Sequence, residues 1–230
     1  MPAIDDTIKH SLPAVAGELQ GTISSIPSWA LPGGLADPDL QRAVCNGIVG
    51  QLGAVAAIEG PLPPAIKDCW AGWLGKADVL VKPQQGGEVY LETKLCLIDK
   101  LYEAVWDVLK VALVTALAEH SAGYVIYVAP KDGWAPREDR PVGLFQDTDM
   151  GIAELLREEY AEAWGWCLEG TKTTRPLQLP AEIRTHHIAT LRIQAPGPDW
   201  ELRCIRVEGD ARAGWVPFDS EGWPATVLSE

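Results

Sequence analysis

Residues 76–100 read KADVLVKPQQGGEVYLETKLCLIDK, and their pattern decides the fold. Two apolar runs, Val79-Leu80-Val81 and Val89-Tyr90-Leu91, flank Pro83-Gln84-Gln85-Gly86-Gly87. Short apolar runs on either side of a Pro- and Gly-rich segment predict a β-hairpin. If the hairpin is symmetric about Gln85, Lys82 faces Glu88, Leu80 faces Tyr90, and Asp78 faces Glu92. Strand side chains alternate, so Asp78, Glu92 and Lys94 then leave one face. Directly opposed carboxylates have Cβ atoms about 4.5–5.5 Å apart and repel. A divalent cation between them turns that repulsion into a binding site. Two acidic oxygen donors with a lysine beside them suit metal-assisted hydrolysis.

A long helix is expected to follow, from about Asp99 to His120. Lys100, Glu103, Asp107 and Lys110 are spaced 3, 4 and 3 along it, while Val105, Val108, Leu109, Ala112, Leu113 and Ala116 are apolar. At 100° per residue the four charges fall in a sector of about 80°. The stripe has two readings. It is a solvated face with pairs such as Lys100–Glu103 and Asp107–Lys110, or it faces the hairpin's acids. In the second case Glu103 supports a water on the ion and Lys110 contacts a phosphate.

Further out, residues 1 to about 36 read as irregular, with a short helix around Ala14 to Leu19. A helix is expected from Pro38 to about Ile58, capped by Asp37 and ended by Gly60-Pro61. Gly123 to Ala129 is a buried strand by its apolar run. Residues 130–149 read as a long loop, and a helix is expected from Met150 to Leu168. Strands near His186–Ile193 and Trp200–Val207 complete the pattern. The order predicts an α/β fold: a mixed sheet flanked by helices. One domain over 1–230 is expected, with a core at about 38–130 and a C-terminal helix and hairpin, within 150–230, that complete or extend the sheet.

Hydrophobic residues make up 47% of the 230, an ordinary value for a globular chain. No apolar run approaches the roughly 20 residues of a membrane span. The start, MPAIDDTIKHSLP, lacks the apolar core of a secretory signal, so a cytoplasmic protein without membrane contact is expected. The five cysteines form no CxxC pair, which leaves reduced thiols and gives no support to a zinc knuckle. His186 and His187 point to opposite strand faces and do not chelate together. The net charge of −13 argues against a broad nucleic-acid surface. A bound cation and a local basic rim can offset that charge, and Trp134 with Lys131, Arg137 and Arg140 is the candidate rim. The same acidity suits a basic protein partner.

An aspartate, a spacer, Glu-X-Lys on the next strand, then a helix and an apolar strand resemble the PD-(D/E)XK, or restriction-endonuclease-like, nuclease superfamily. Asp78 and Glu92-Thr93-Lys94 carry the resemblance, and the run KLYEAVWDVLKVAL is similar to uncharacterised bacterial members. It covers about residues 38 to 130. Lys76-Ala77 stands where the family pattern has a proline before the aspartate. The resemblance implies a restriction-endonuclease-like mixed sheet and an Mg²⁺- or Mn²⁺-dependent phosphodiesterase acting on DNA. It implies Asp78 and Glu92 as metal ligands, the Thr93 carbonyl as a third protein donor, and Lys94 orienting the attacking water. It also assigns an acid from the first helix to the metal, for which Glu59 is the candidate. The alternative is an inactive nuclease fold serving as an acidic, immunity-type binding protein.

Overall fold

The structure is a computed structural model that describes residues 2–25, 37–52, 55–64, 66, 76–83, 86–95, 101–131, 148–151, 177–194 and 199–218. Helices α1 (Pro2–Ser25) and α2 (Asp37–Leu52) precede strands β1 (Val55–Pro61), β2 (Lys76–Lys82) and β3 (Glu88–Leu95). Helix α3 (Leu101–Leu117) leads into β4 (Ser121–Pro130), followed by β5 (Thr148–Gly151), β6 (Leu177–Ile193) and β7 (Trp200–Phe218). Among the described residues the strands form one seven-stranded mixed sheet in the order β1-β2-β3-β4-β7-β6-β5. Only β3 and β4 are parallel; the other neighbours run antiparallel. Parallel neighbours need a crossover, which α3 supplies.

The hairpin forms in the expected register. Leu80 pairs with Tyr90, between Val79–Leu91 and Val81–Val89. Lys82 meets Glu88 at 2.8 Å. The turn is made by Gly86 and Gly87, with φ of 89° and 83°, values that side-chain-bearing residues rarely adopt. A Cβ on Gly87 would also come 2.8 Å from the His120 carbonyl oxygen.

Alternation splits the sheet into two faces. Val79, Val81, Val89, Leu91, Tyr124, Ile126, Trp200 and Leu202 point at α1 and α2 and build the main core with them. The opposite face receives α3. That helix lies close, because Gly123 and Gly209 carry no side chain beneath it. A Cβ at Gly123 would stand 2.2 Å from Val111 Cγ1, and one at Gly209 would stand 2.2 Å from the Ala112 carbonyl oxygen. Gly209 N also donates to Thr115 Oγ1 at 2.9 Å.

Four readings of the chain are corrected. The N-terminal segment is not irregular: α1 is a 24-residue helix with Pro13 inside it. Pro13, Gly17 and Gly21 disfavour a helix by about 5 kcal/mol together. Against that, Ile8, Leu12, Val15, Leu19 and Ile23 are fully buried in one stripe. At about 1.5–3 kcal/mol each they contribute roughly 7–15 kcal/mol, and burial wins. Second, the helix placed at Pro38–Ile58 ends at Leu52, and Val55–Pro61 is edge strand β1. Third, Thr148–Gly151 is strand β5 rather than loop end and helix start; the rest of the expected 150–168 helix lies outside the described residues. Fourth, β6 starts at Leu177, well before the expected His186, and β7 continues to Phe218, well past the expected Val207. Bulges at Pro180/Glu182 and His187/Ala189 absorb the irregular stretches, so Gly209, Asp210 and Gly214 do not end the ribbon.

Candidate metal centre under helix α3

Glu92 sits on β3 with 2% of its surface exposed. It lies on the α3 face, and α3 reaches down to it. Lys110 Nζ donates to Glu92 Oε2 at 2.8 Å and stands 2.8 Å from Oε1. The ammonium therefore grips both carboxylate oxygens. Asp107, one turn earlier on α3, is 8% exposed, as is Lys110. At Asp107 and Lys110 the stripe on α3 is thus not a solvated face. Its last two members, Asp107 and Lys110, are turned into the protein against the hairpin's acids. Lys100 lies outside the described residues, and so does the Glu103 side chain.

Asp78, half-buried on β2, takes part differently from expectation. Its ladder with β3 stops at Val79. The carboxylate reaches across to Thr93, whose amide donates to Oδ2 at 2.8 Å and whose hydroxyl donates to the same oxygen at 3.1 Å. Thr93 was expected to offer its carbonyl to an ion; here its amide and hydroxyl hold the aspartate. Lys94 is half-buried on β3.

The electrostatics tie these groups together. Burial drives the Glu92 pKa up, Lys110 pulls it down, Asp78 pushes it up again, and the result is about 7. Asp107 is raised well above the carboxylate range, first by burial and then by the charge of Glu92, with Lys94 opposing. Burial disfavours the Lys110 charge, yet Glu92, Asp107 and Asp78 outweigh it and raise the pKa. Three acids face two lysines here. Burial and the mutual repulsion of the acids therefore favour the neutral forms of Glu92 and Asp107.

Glu59 is not brought in. It belongs to β1, with φ of 55°, and its carboxylate is exposed and held by Lys76 at 2.6 Å. The first helix contributes no acid through this residue, because that helix ends before it.

The donor chemistry of the cluster fits a hard divalent cation. Asp78 and Glu92 offer carboxylate oxygens, and beside them Asp107 Oδ2 is buried with no hydrogen-bond partner among the described residues. The arrangement does not yet gather them. Among the described residues no three His, Cys, Asp or Glu side chains stand close enough to share an ion. Lys110 holds the place on Glu92 that a cation would take.

Elsewhere, His186 lies 3.9 Å from Glu208 and His187 Nε2 is 2.9 Å from Thr190 Oγ1, so the two histidines serve different neighbours. Cys45 and Cys204 are free. Trp134, Arg137 and Arg140 lie outside the described residues. No described helix is long and apolar enough to cross a membrane. One polar network carried no sequence signal. Asp5 on α1 accepts from Tyr124 at 2.5 Å and from Arg206 at 2.7 Å, partners 119 and 201 positions away. No family model, no curated protein and no solved structure matches the chain.

Proposed function

We propose that the cluster under α3 is a divalent-cation-dependent phosphodiester-hydrolysis site of the restriction-endonuclease-like type, acting on DNA. The observation that carries this reading is the hairpin and its sequel. Asp78 and Glu92-Thr93-Lys94 lie on adjacent antiparallel strands, and a crossover helix then returns β4 parallel to β3. That is the arrangement of elements the resemblance calls for.

In this reading Asp78 and Glu92 hold Mg²⁺ or Mn²⁺, with the Thr93 carbonyl as a further donor. Such an ion supplies Lewis-acid stabilisation of phosphoryl charge and a more acidic water. The chain's own residues do the rest. Asp78 is held in place by Thr93, which fixes one donor before any ion arrives. Lys94, next to Glu92-Thr93, orients the attacking water and meets developing negative charge. Burial of Glu92 keeps competing water away and strengthens each charge interaction.

The test is cleavage of plasmid, linear and single-stranded DNA with Mg²⁺ or Mn²⁺. Glu92→Ala and Lys94→Ala are expected to lose at least about 100-fold in rate, with folding checked by circular dichroism. Undiminished cutting by Lys94→Ala removes the proposal.

One observation favours a second reading. Glu92 already has a cation, Lys110, on both oxygens. A protein in which that pair is purely structural would be a non-catalytic, acidic partner for a basic protein, consistent with a net charge of −13. Calorimetric titration with Mn²⁺ separates the two: carboxylate-dependent heat belongs to the first reading, and tight capture of a basic protein without it belongs to the second.

A further inference from the structure

The geometry points to Lys110 as a resident counter-ion that a divalent cation must displace, with Asp107 as the acceptor that takes it. This inference rests on the reading that Asp78 and Glu92 bind a divalent cation.

Three observations on α3 and β3 carry it. The Lys110 ammonium stands 2.8 Å from both oxygens of Glu92, so an incoming ion and Lys110 compete for the same donors. Both groups are nearly buried, with 10% and 3% of their side chains exposed, so the displaced ammonium cannot stay uncompensated. Asp107 lies three residues before Lys110 on the same helix. At that spacing side chains are neighbours, about 5–6 Å apart at Cβ, well within the reach of a lysine. Its Oδ2 is buried with no hydrogen-bond partner among the described residues. The helix therefore carries an open acceptor beside the cation that has to move.

The pair has two arrangements. Without a divalent ion, Lys110 neutralises Glu92. With one, Glu92 turns its oxygens to the ion and Lys110 swings to Asp107. Asp107 is then a positioning residue that acts through Lys110; it touches neither ion nor substrate. No bond is made or broken in the exchange, and the same ammonium moves between two carboxylates.

The experiment is a double-mutant cycle on the full chain, reading Mn²⁺ affinity at pH 8.0 by electron paramagnetic resonance of the free ion. Lys110→Met is expected to tighten Mn²⁺ binding by about tenfold, because the competitor is gone. Asp107→Asn is expected to weaken it by about tenfold when Lys110 is present and to leave it unchanged in the Lys110→Met background. Equal weakening in both backgrounds makes Asp107 an ion ligand and overturns the exchange. So does a Lys110→Met affinity equal to wild type. If wild type and all variants fail to bind Mn²⁺, the metal reading itself falls, and the exchange falls with it. A wild-type measurement covers variants that do not fold. With ¹⁵N-labelled lysine side chains, saturating Mg²⁺ must shift the Lys110 ammonium resonance as its partner changes. A bound ion that leaves that resonance unmoved also overturns the proposal.

Discussion

On the α1–α2 face, Asp5 uses both carboxylate oxygens, Oδ1 for Tyr124 and Oδ2 for Arg206. Arg206 in turn pairs with Glu208 through its second terminal nitrogen. On the α3 face, Glu92 is gripped by Lys110 and also takes a backbone hydrogen bond from Asp78, and the neighbouring Asp107 leaves a buried oxygen without a hydrogen-bond partner among the described residues. Asp5 and Arg206 keep 27% and 19% of their side chains exposed, whereas Glu92 and Lys110 keep 3% and 10%. One network is partly wet and leaves a buried donor, Arg206 Nε, without a partner among the described residues; the other is deeper and leaves a buried acceptor, Asp107 Oδ2. The shallow network, whose charges pair with one another, reads as a fastener. In the proposed reading the deep one, with its surplus of acids, keeps charge for a ligand that is itself positive, because burial without full pairing is costly to a fold that gains nothing from it.

The sharpest way to break the contrast is to remove one partner of the deep pair. Lys110→Ala strands Glu92 in the interior and should cost about 3–5 kcal/mol in urea melts. Replacing both Glu92 and Lys110 by Met should restore most of that stability while leaving no Mn²⁺ site. If Lys110→Ala is no more harmful than a surface change, the pair is not buried as described. Next comes the shallow network. Asp5→Ala removes two charge-assisted hydrogen bonds and should cost about 1.5–3 kcal/mol, without altering Mn²⁺ affinity. A changed affinity would mean that the two faces communicate.

Counted per pH unit, the smallest effect comes from titration. Glu92 holds its proton up to about 7 in the folded chain, against an ordinary value of 4.5. The folded state therefore binds more protons than the unfolded one between those values. The stabilisation from this group is complete below pH 4.5 and is lost as pH rises through 7, at no more than about 1.4 kcal/mol per pH unit for one proton. Asp107 adds in the same direction. Unfolding followed from pH 5 to pH 8.5 should show wild type weakening and Glu92→Gln weakening less. Tyr124→Phe, on the other face, should keep the wild-type slope. Identical slopes in wild type and Glu92→Gln would contradict the raised pKa.

Much of the site was legible because it is local. Alternation around a Pro-Gly turn places Asp78, Glu92 and Lys94 within one hairpin, and the 3-4-3 spacing marks Asp107 and Lys110 on the helix that follows. What alignment of letters does not convey is how far α3 is pushed along the sheet. That depends on Gly123 and Gly209 letting the helix settle, and it decides that Lys110 meets Glu92. The α1 helix was obscured because Pro13, Gly17 and Gly21 argue against it locally, while its buried stripe pays off only once α2 and the sheet are present. Strand β1 was obscured because Val55 and Ile58 continue the apolar period of α2. Strand β7 was cut short because Gly209, Asp210 and Gly214 look like punctuation, although Gly209 and Asp210 pair with Ile183 and Glu182 and Gly214 falls in a bulge.

The Asp5–Arg206 link spans 201 positions, and its consequence lies in synthesis. The first helix leaves the ribosome long before the strand that anchors it exists. Until Arg206 is made, a row of five large aliphatic side chains, Ile8 to Ile23, waits without its final cover. The hairpin and its crossover helix are complete far earlier. The nascent chain thus owns its charged centre well before α1 has β6 packed against it and Arg206 paired with Asp5.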